Sequence, residues 1–125
     1  MSDAKTTTIL VVDDSRVSRL LSRQFILYRH PDWIIEEAAS GEEAIDKLAA
    51  VAPDLVLLDV NMPGMGGLAA IVKLREISAT VSICLLTANV QEAIREKAQQ
   101  LNVQFAEKPI TQARIDQVIA MLEGS

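Results

Sequence analysis

The chain is expected to fold as a doubly wound α/β domain, with a five-stranded parallel sheet and helices on both faces. Three observations predict it. Apolar runs of strand length alternate five times with amphipathic stretches of helix length. The third run, Leu55-Val56-Leu57-Leu58, is apolar at every position, as in a strand covered on both faces. The 125 residues suffice for one sizeable core, expected over about residues 7–123 of a single domain spanning 1–125.

Thr8 to Val12 is rich in β-branched residues and forms the first strand. From Ser15 to about Tyr28 the spacing of Val17, Leu20, Leu21 and Tyr28 is helical. Trp33-Ile34-Ile35 opens the second strand. Ser40 and Glu43 form a capping-box pattern ahead of Ala44, Ile45 and Leu48, which predicts the second helix. The third strand ends at Leu58, and Pro63, Gly64, Gly66 and Gly67 mark a loop. Leu68, Ile71, Val72 and Ile77 form the third helix, and Val81 to Leu86 the fourth strand. Val90, Ala93, Ile94, Lys97, Ala98 and Leu101 fit one face of a fourth helix, which Asn89 and Glu92 can cap. Val103 to Ala106 is a short fifth strand. Ile115, Val118, Ile119 and Leu122 recur at i, i+3, i+4 and i+7 in the fifth helix.

Half of the residues are hydrophobic and 23% are charged, a globular composition. The net charge of −5 lacks the basic footprint of a nucleic-acid binder and is equally poor for anionic lipid. The one cysteine, Cys84, excludes an intramolecular disulfide and fits a reducing compartment. Met1 to Thr8 carry no apolar signal core, and no apolar run approaches the roughly 20 residues that span a bilayer. The expectation is a cytoplasmic protein with neither a nucleic-acid nor a membrane partner.

In an open α/β sheet, ligands bind beyond the carboxyl ends of the strands, where strand order reverses. Asp13 and Asp14 follow the first strand, Asp59 and Asn61 the third, Thr87 the fourth, and Lys108 the fifth. Far apart in sequence, they fall at one end of the sheet. Three carboxylates brought together repel one another unless a cation intervenes. Mg²⁺ suits them, since it takes oxygen ligands and keeps waters and phosphate oxygens. A carboxylate can also act as a nucleophile and form an acyl phosphate. With Mg²⁺ and Lys108 the three carboxylates sum to zero charge, so a phosphoryl group enters a balanced site.

The segments Val11-Val12-Asp13-Asp14-Ser15, Leu57-Leu58-Asp59-Val60-Asn61-Met62-Pro63-Gly64, Leu85-Leu86-Thr87-Ala88 and Glu107-Lys108-Pro109 together resemble a CheY-like response-regulator receiver of two-component signalling, in order and spacing. The resemblance implies a flavodoxin-like strand order of 2-1-3-4-5. It implies that Asp59 takes a phosphoryl group from a histidine kinase or histidine phosphotransfer protein. One Mg²⁺ would be held by Asp13, Asp14, Asp59 and the backbone carbonyl of Asn61. Thr87 and Lys108 would each hold a phosphoryl oxygen, and the Lys108-Pro109 bond is often cis in such domains. Phe105 stands where the family has an aromatic switch. Its ring and Thr87 would change the face of helix 4, strand 5 and helix 5 for a downstream protein target.

The molecule would then be a switch rather than an enzyme, a monomer or a weak phosphorylation-dependent dimer. The loop Gly64-Met65-Gly66-Gly67 departs from a frequent Asp-Gly pair, and Asn102-Val103-Gln104 from a frequent Gly-Ala approach. Both are expected to affect loop stiffness or partner fit rather than the phosphoryl chemistry.

Other readings remain beside these. Thr87 can be a plain helix cap, Phe105 plain core, His30 a helix cap or a solvated side chain, and Met62 and Met65 a shield or a partner contact. The chain can be a receiver excised from a larger regulator or hybrid kinase, although its Met1 start and its end soon after the fifth helix favour a stand-alone protein. An aspartate-nucleophile phosphatase would need a second Asp two residues on, where Asn61 stands. A flavodoxin-like cofactor carrier would set its phosphate against Asp13 and Asp14. No G-x-x-x-x-G-K nucleotide loop occurs.

Overall fold

The computed structural model describes residues 6–62, 64–88 and 91–123. Strands and helices alternate as β1 (Thr8–Val12), α1 (Arg16–Arg29), β2 (Ile34–Ala38), α2 (Gly41–Val51), β3 (Leu55–Asp59), α3 (Gly66–Ile77), β4 (Ser82–Thr87), α4 (Glu92–Gln100), β5 (Gln104–Glu107) and α5 (Gln112–Glu123). All four strand pairings are parallel, as the apolar runs predict, and the order is β2-β1-β3-β4-β5, as the resemblance implies. The chain leaves β1 for β2 on one side and returns to β3 on the other, so strand order reverses between β1 and β3.

Strand parity sorts the core into two halves. Leu10, Val12, Val56, Leu58, Ile83 and Leu85 point to one face and meet Ala44, Leu48, Ala70, Ile71, Leu74 and Ala98 of α2, α3 and α4. Ile9, Val11, Leu55, Leu57, Cys84 and Leu86 point to the other and meet Ile26, Ile115, Val118 and Ile119 of α1 and α5. With both faces covered, β3 is buried from end to end, which explains its unbroken apolar run. Cys84 is buried within this packing, and burial pushes its thiol pKa up to about 12.

Helix α1 turns a different face inward from the one its apolar spacing suggests, while α3 and α4 bury part of the predicted face. In α1, Val17, Leu20 and Tyr28 are 66%, 51% and 78% exposed, while Ser22 and Ile26 are buried. The helix also leans on α5, where Gln112 Nε2 donates to the Phe25 carbonyl at 3.0 Å and Arg29 meets Asp116 at 3.6 Å. In α3, Val72 and Ile77 are exposed and Gly67, Ala70, Ile71 and Leu74 are buried. In α4 Ala98 is fully buried and Ile94 and Leu101 pack partly covered against the core, as predicted, whereas Ala93 and Lys97 face solvent. Gln91 occupies the N-cap of α4 without a side-chain hydrogen bond. Asn89 and Val90, like Pro63, lie outside the described residues.

The α2 cap is half as drawn. Ser40 Oγ accepts from the Glu43 amide at 3.0 Å, but Glu43 Oε1 accepts from Ala39 at 2.7 Å, one residue before the cap. His30 caps α1 through its backbone, donating to the Ile26 carbonyl, and its ring stacks on Trp33 at 3.8 Å. Met62 is buried and Met65 packs beside it, so both are part of the core.

Candidate functional site

The ladder carries the polar residues past the strand ends in register. The Asp13 amide donates to the Ala38 carbonyl at 3.1 Å, Val60 to Leu86 at 2.9 Å, and Lys108 to Thr87 at 2.8 Å. Asp13 continues the parity of Val11, Asp59 that of Leu57, and Lys108 that of Ala106. All three therefore leave the sheet on the α1/α5 side, which explains why they converge.

Lys108 Nζ lies 3.3 Å from Asp59 Oδ1 and 3.7 Å from Asp13 Oδ2. Asp59 Oδ1 also accepts from the Asn61 amide at 3.3 Å. Asp13 Oδ1 accepts from the Ser15 amide at 2.9 Å, and Ser15 Oγ then caps α1 by accepting from Ser18. Asp13 and Asp59 are buried and Asp14 is exposed. Burial pushes the Asp13 carboxyl above its ordinary pKa, the Ser15 amide opposes this, and the charge of Asp59 adds to it.

Asp13, Asp14 and Asp59 each offer a carboxylate oxygen within 4.8 Å of the others. This is a set of hard oxygen donors at the carboxyl end of the sheet, with a buried carboxylate whose charge is unfavourable as it stands. The residues fit a divalent, oxygen-seeking cation.

Thr87 and Phe105 belong to the other parity. Thr87 ends β4, buried, two residues beyond Leu85, and is part of the strand rather than a cap of α4. Phe105 pairs with Leu85 in register and packs against the same α2–α3–α4 half of the core. It is half-buried, stands outside the acidic pocket, and carries the Arg95 guanidinium 5.3 Å from its ring centroid. The Lys108-Pro109 peptide bond is cis. An open groove of about 460 Å³ lined by Ser18, Leu21, Ala88, Lys108, Pro109 and Ile110 adjoins the lysine.

One glycine matters more than its loop setting suggests. The Gly67 amide donates to the Val60 carbonyl at 3.1 Å. A Cβ there would meet the Asp59 carbonyl oxygen at 2.6 Å and Val60 Cα at 2.7 Å, so α3 starts against the backbone of Asp59 because residue 67 has no side chain. This loop therefore packs on the backbone of the Asp59 segment, a contact beyond the stiffness and partner fit expected of it. Gly66 adopts a φ of +76°, a conformation that favours glycine over the frequent aspartate.

These features define a doubly wound α/β domain with an acidic, lysine-countered pocket at its switch point. Residues 9–120 match the response regulator receiver domain, and the chain belongs to that family of two-component signalling switches. It is 31% identical over 112 residues to the chemotaxis protein CheY of Bacillus subtilis, covering 89% of this chain and 92% of CheY. To the transcriptional regulatory protein ResD of the same organism it is 41% identical over 95 residues, 76% of this chain but 38% of ResD. Several curated relatives are thus matched over less than half their length. A crystal structure of Vibrio cholerae CheY4 superposes with a TM-score of 0.87, covering 94% of this chain and 99% of CheY4 at 23% identity, a likeness of fold.

The ResD match corrects the expectation of no nucleic-acid partner. The acidic charge of this domain does not exclude such a role for a protein of which a receiver forms part. Among the described residues no helix is long and apolar enough to cross a membrane.

Proposed function

We propose that this chain is a phosphoacceptor receiver domain over its whole length, with Asp59 as the acceptor and one Mg²⁺ as cofactor. The observation that carries the reading is the convergence of Asp13, Asp14 and Asp59 around Lys108 at the switch point of the sheet. Asp59 Oδ1 is engaged by Lys108 and the Asn61 amide, and Oδ2 acts as nucleophile on the phosphorus of a phosphohistidine. The P–O bond forms, the P–N bond breaks, and its electron pair leaves with the imidazole of the donor. Asp13, Asp14, Asp59 and the Asn61 carbonyl would hold Mg²⁺, which when bound would supply neutralisation of charge on the phosphoryl oxygens.

Lys108 exchanges its contact with Asp59 for a phosphoryl oxygen, and the Thr87 hydroxyl takes another. Drawing Thr87 toward the phosphate vacates space on its own face of the sheet, the face shared with Phe105. Inward movement of the ring then alters the α4–β5–α5 surface for a downstream target. A shift from mostly inactive to mostly active needs on the order of 5 kcal/mol of differential interaction. Charge-assisted hydrogen bonds in a buried pocket are of the right size to supply much of it. The donor, a histidine kinase or histidine phosphotransfer protein, approaches across the groove beside Lys108. A cytoplasmic location and a monomer, or a weak phosphorylation-dependent dimer, accompany this reading.

A second reading, that the same chemistry serves as the receiver part of a longer regulator, is favoured by the partial coverage of ResD. Intact mass after incubation with acetyl phosphate tests the chemistry. One added phosphoryl group is expected, requiring Mg²⁺ and absent in Asp59→Asn. No addition to the folded protein with acetyl phosphate or a second donor removes Asp59 from its central place.

A further inference from the structure

Arg19 lies one turn into α1 with its side chain only 15% exposed, and it is held from two directions. Its Nη1 donates to the backbone carbonyl of Asp13 at 2.7 Å, and its Nε donates to Glu37 Oε1 at 2.9 Å. Glu37, on β2, is held in turn. Arg23 Nη1 reaches its Oε2 at 3.3 Å, and Lys47 Nζ donates to its backbone carbonyl. The guanidinium therefore bridges the end of β1 to the neighbouring strand, with its charge matched by Glu37 rather than by the acidic pocket.

The group it grips is informative. The Asp13 amide is fixed by Ala38 and its carboxylate by the Ser15 amide. Its carbonyl belongs to the peptide plane that also carries the Asp14 nitrogen, and that plane is rigid. Asp14 lies beyond the strand and is exposed. The direction of this one peptide sets where the Asp14 side chain starts. A fork-shaped donor anchored at both ends can fix it, whereas a single ammonium cannot serve the Asp13 carbonyl and Glu37 in the same geometry.

We infer that Arg19, oriented by Glu37, is a positioning residue for the cation site, fixing the Asp13–Asp14 peptide so that both carboxylates face Asp59; this rests on reading those three aspartates as cation ligands. Unlike Lys108, Arg19 orders the ligands without competing with the cation for their charge.

The test is calorimetric titration of the full, unphosphorylated chain with Mg²⁺ alone, alongside urea unfolding in its absence. Arg19→Gln and Arg19→Lys are expected to weaken Mg²⁺ binding about tenfold, the lower end of what loss of a ligand-orienting contact costs. Glu37→Gln, at a partly exposed position that leaves the fold intact, is expected to weaken it roughly threefold. Asp116→Asn releases Arg29 at the far end of the same helix and is expected to leave the affinity unchanged. If Arg19→Gln and Glu37→Gln bind Mg²⁺ as the unaltered chain does, and only their unfolding midpoints move, Arg19 is structural and the inference is overturned. If the unaltered chain itself binds no Mg²⁺, the cation site fails first and this role with it.

Discussion

The centre of the sheet and its β5 edge are built to different standards. β1 and β3 lie between neighbours on both sides, and every residue of β3 is buried. Asp59, the proposed acceptor, and Asp13 beside it are held there by ladder bonds, a helix cap and a glycine contact. At the edge, β5 has one neighbour, exposes Gln104 and Glu107, and is covered on one of its faces by α4, which fully buries one residue. The proposed function asks the centre to keep its ligands in place and the edge to move at small cost, and elements with few buried contacts are the ones that open first. Thr87 and Lys108 extend β4 and β5 toward the pocket and so join the two regions.

Matched truncations test the contrast most strongly. Leu58→Ala, in the fully buried centre, should cost about 3–4 kcal/mol of unfolding free energy, whereas Ile94→Ala on α4 should cost about 1 kcal/mol. Equal costs in urea unfolding would erase the distinction. Gly67→Ala comes next. The added methyl group cannot fit against the Asp59 carbonyl, so a loss of about 2 kcal/mol and a severe drop in phosphorylation by acetyl phosphate are expected together.

Arg95→Ala should cost less than about 1 kcal/mol, the worth of an exposed cation–π contact. It should leave the phosphorylation rate unaltered while shifting the Phe105 signal toward its phosphorylated position. Fluorine NMR of labelled phenylalanine can read this, because the chain has two such residues.

The smallest effect lies at the start of α2, outside both regions. The Ala39 amide holds the Glu43 carboxyl below its ordinary pKa. Its contribution is therefore present above the unfolded-state pKa and is lost as pH falls through the folded one. Glu43→Gln should lower stability by about 0.5 kcal/mol at neutral pH, a gap that closes on acidification through the carboxylate range.

The parallel sheet and the shared edge of Asp13, Asp59, Thr87 and Lys108 were legible in the sequence because these residues stand at or just past the ends of apolar runs, and parallel strands bring such positions to one edge; the strand order came from the family resemblance. The inward face of α1 was not legible. That helix carries apolar residues on two sides, and periodicity prefers Val17, Leu20 and Tyr28 to a stripe containing Ser22. Arg19 and Gly67 were equally hidden. A helical arginine and a loop glycine are common, and their contacts with Asp13 and Asp59 exist only once β1, β3 and α3 are assembled.

The buried thiol of Cys84 has a practical consequence. With its pKa near 12, the thiolate fraction at neutral pH is on the order of one in 10⁵, and the sulfur is closed off from reagents as well. The chain thus comes with a silent native cysteine. A single cysteine placed on exposed Ala93 or Lys97 would be the one reactive handle, ready for a spin label or fluorophore that watches α4 respond while the rest of the protein stays unaltered.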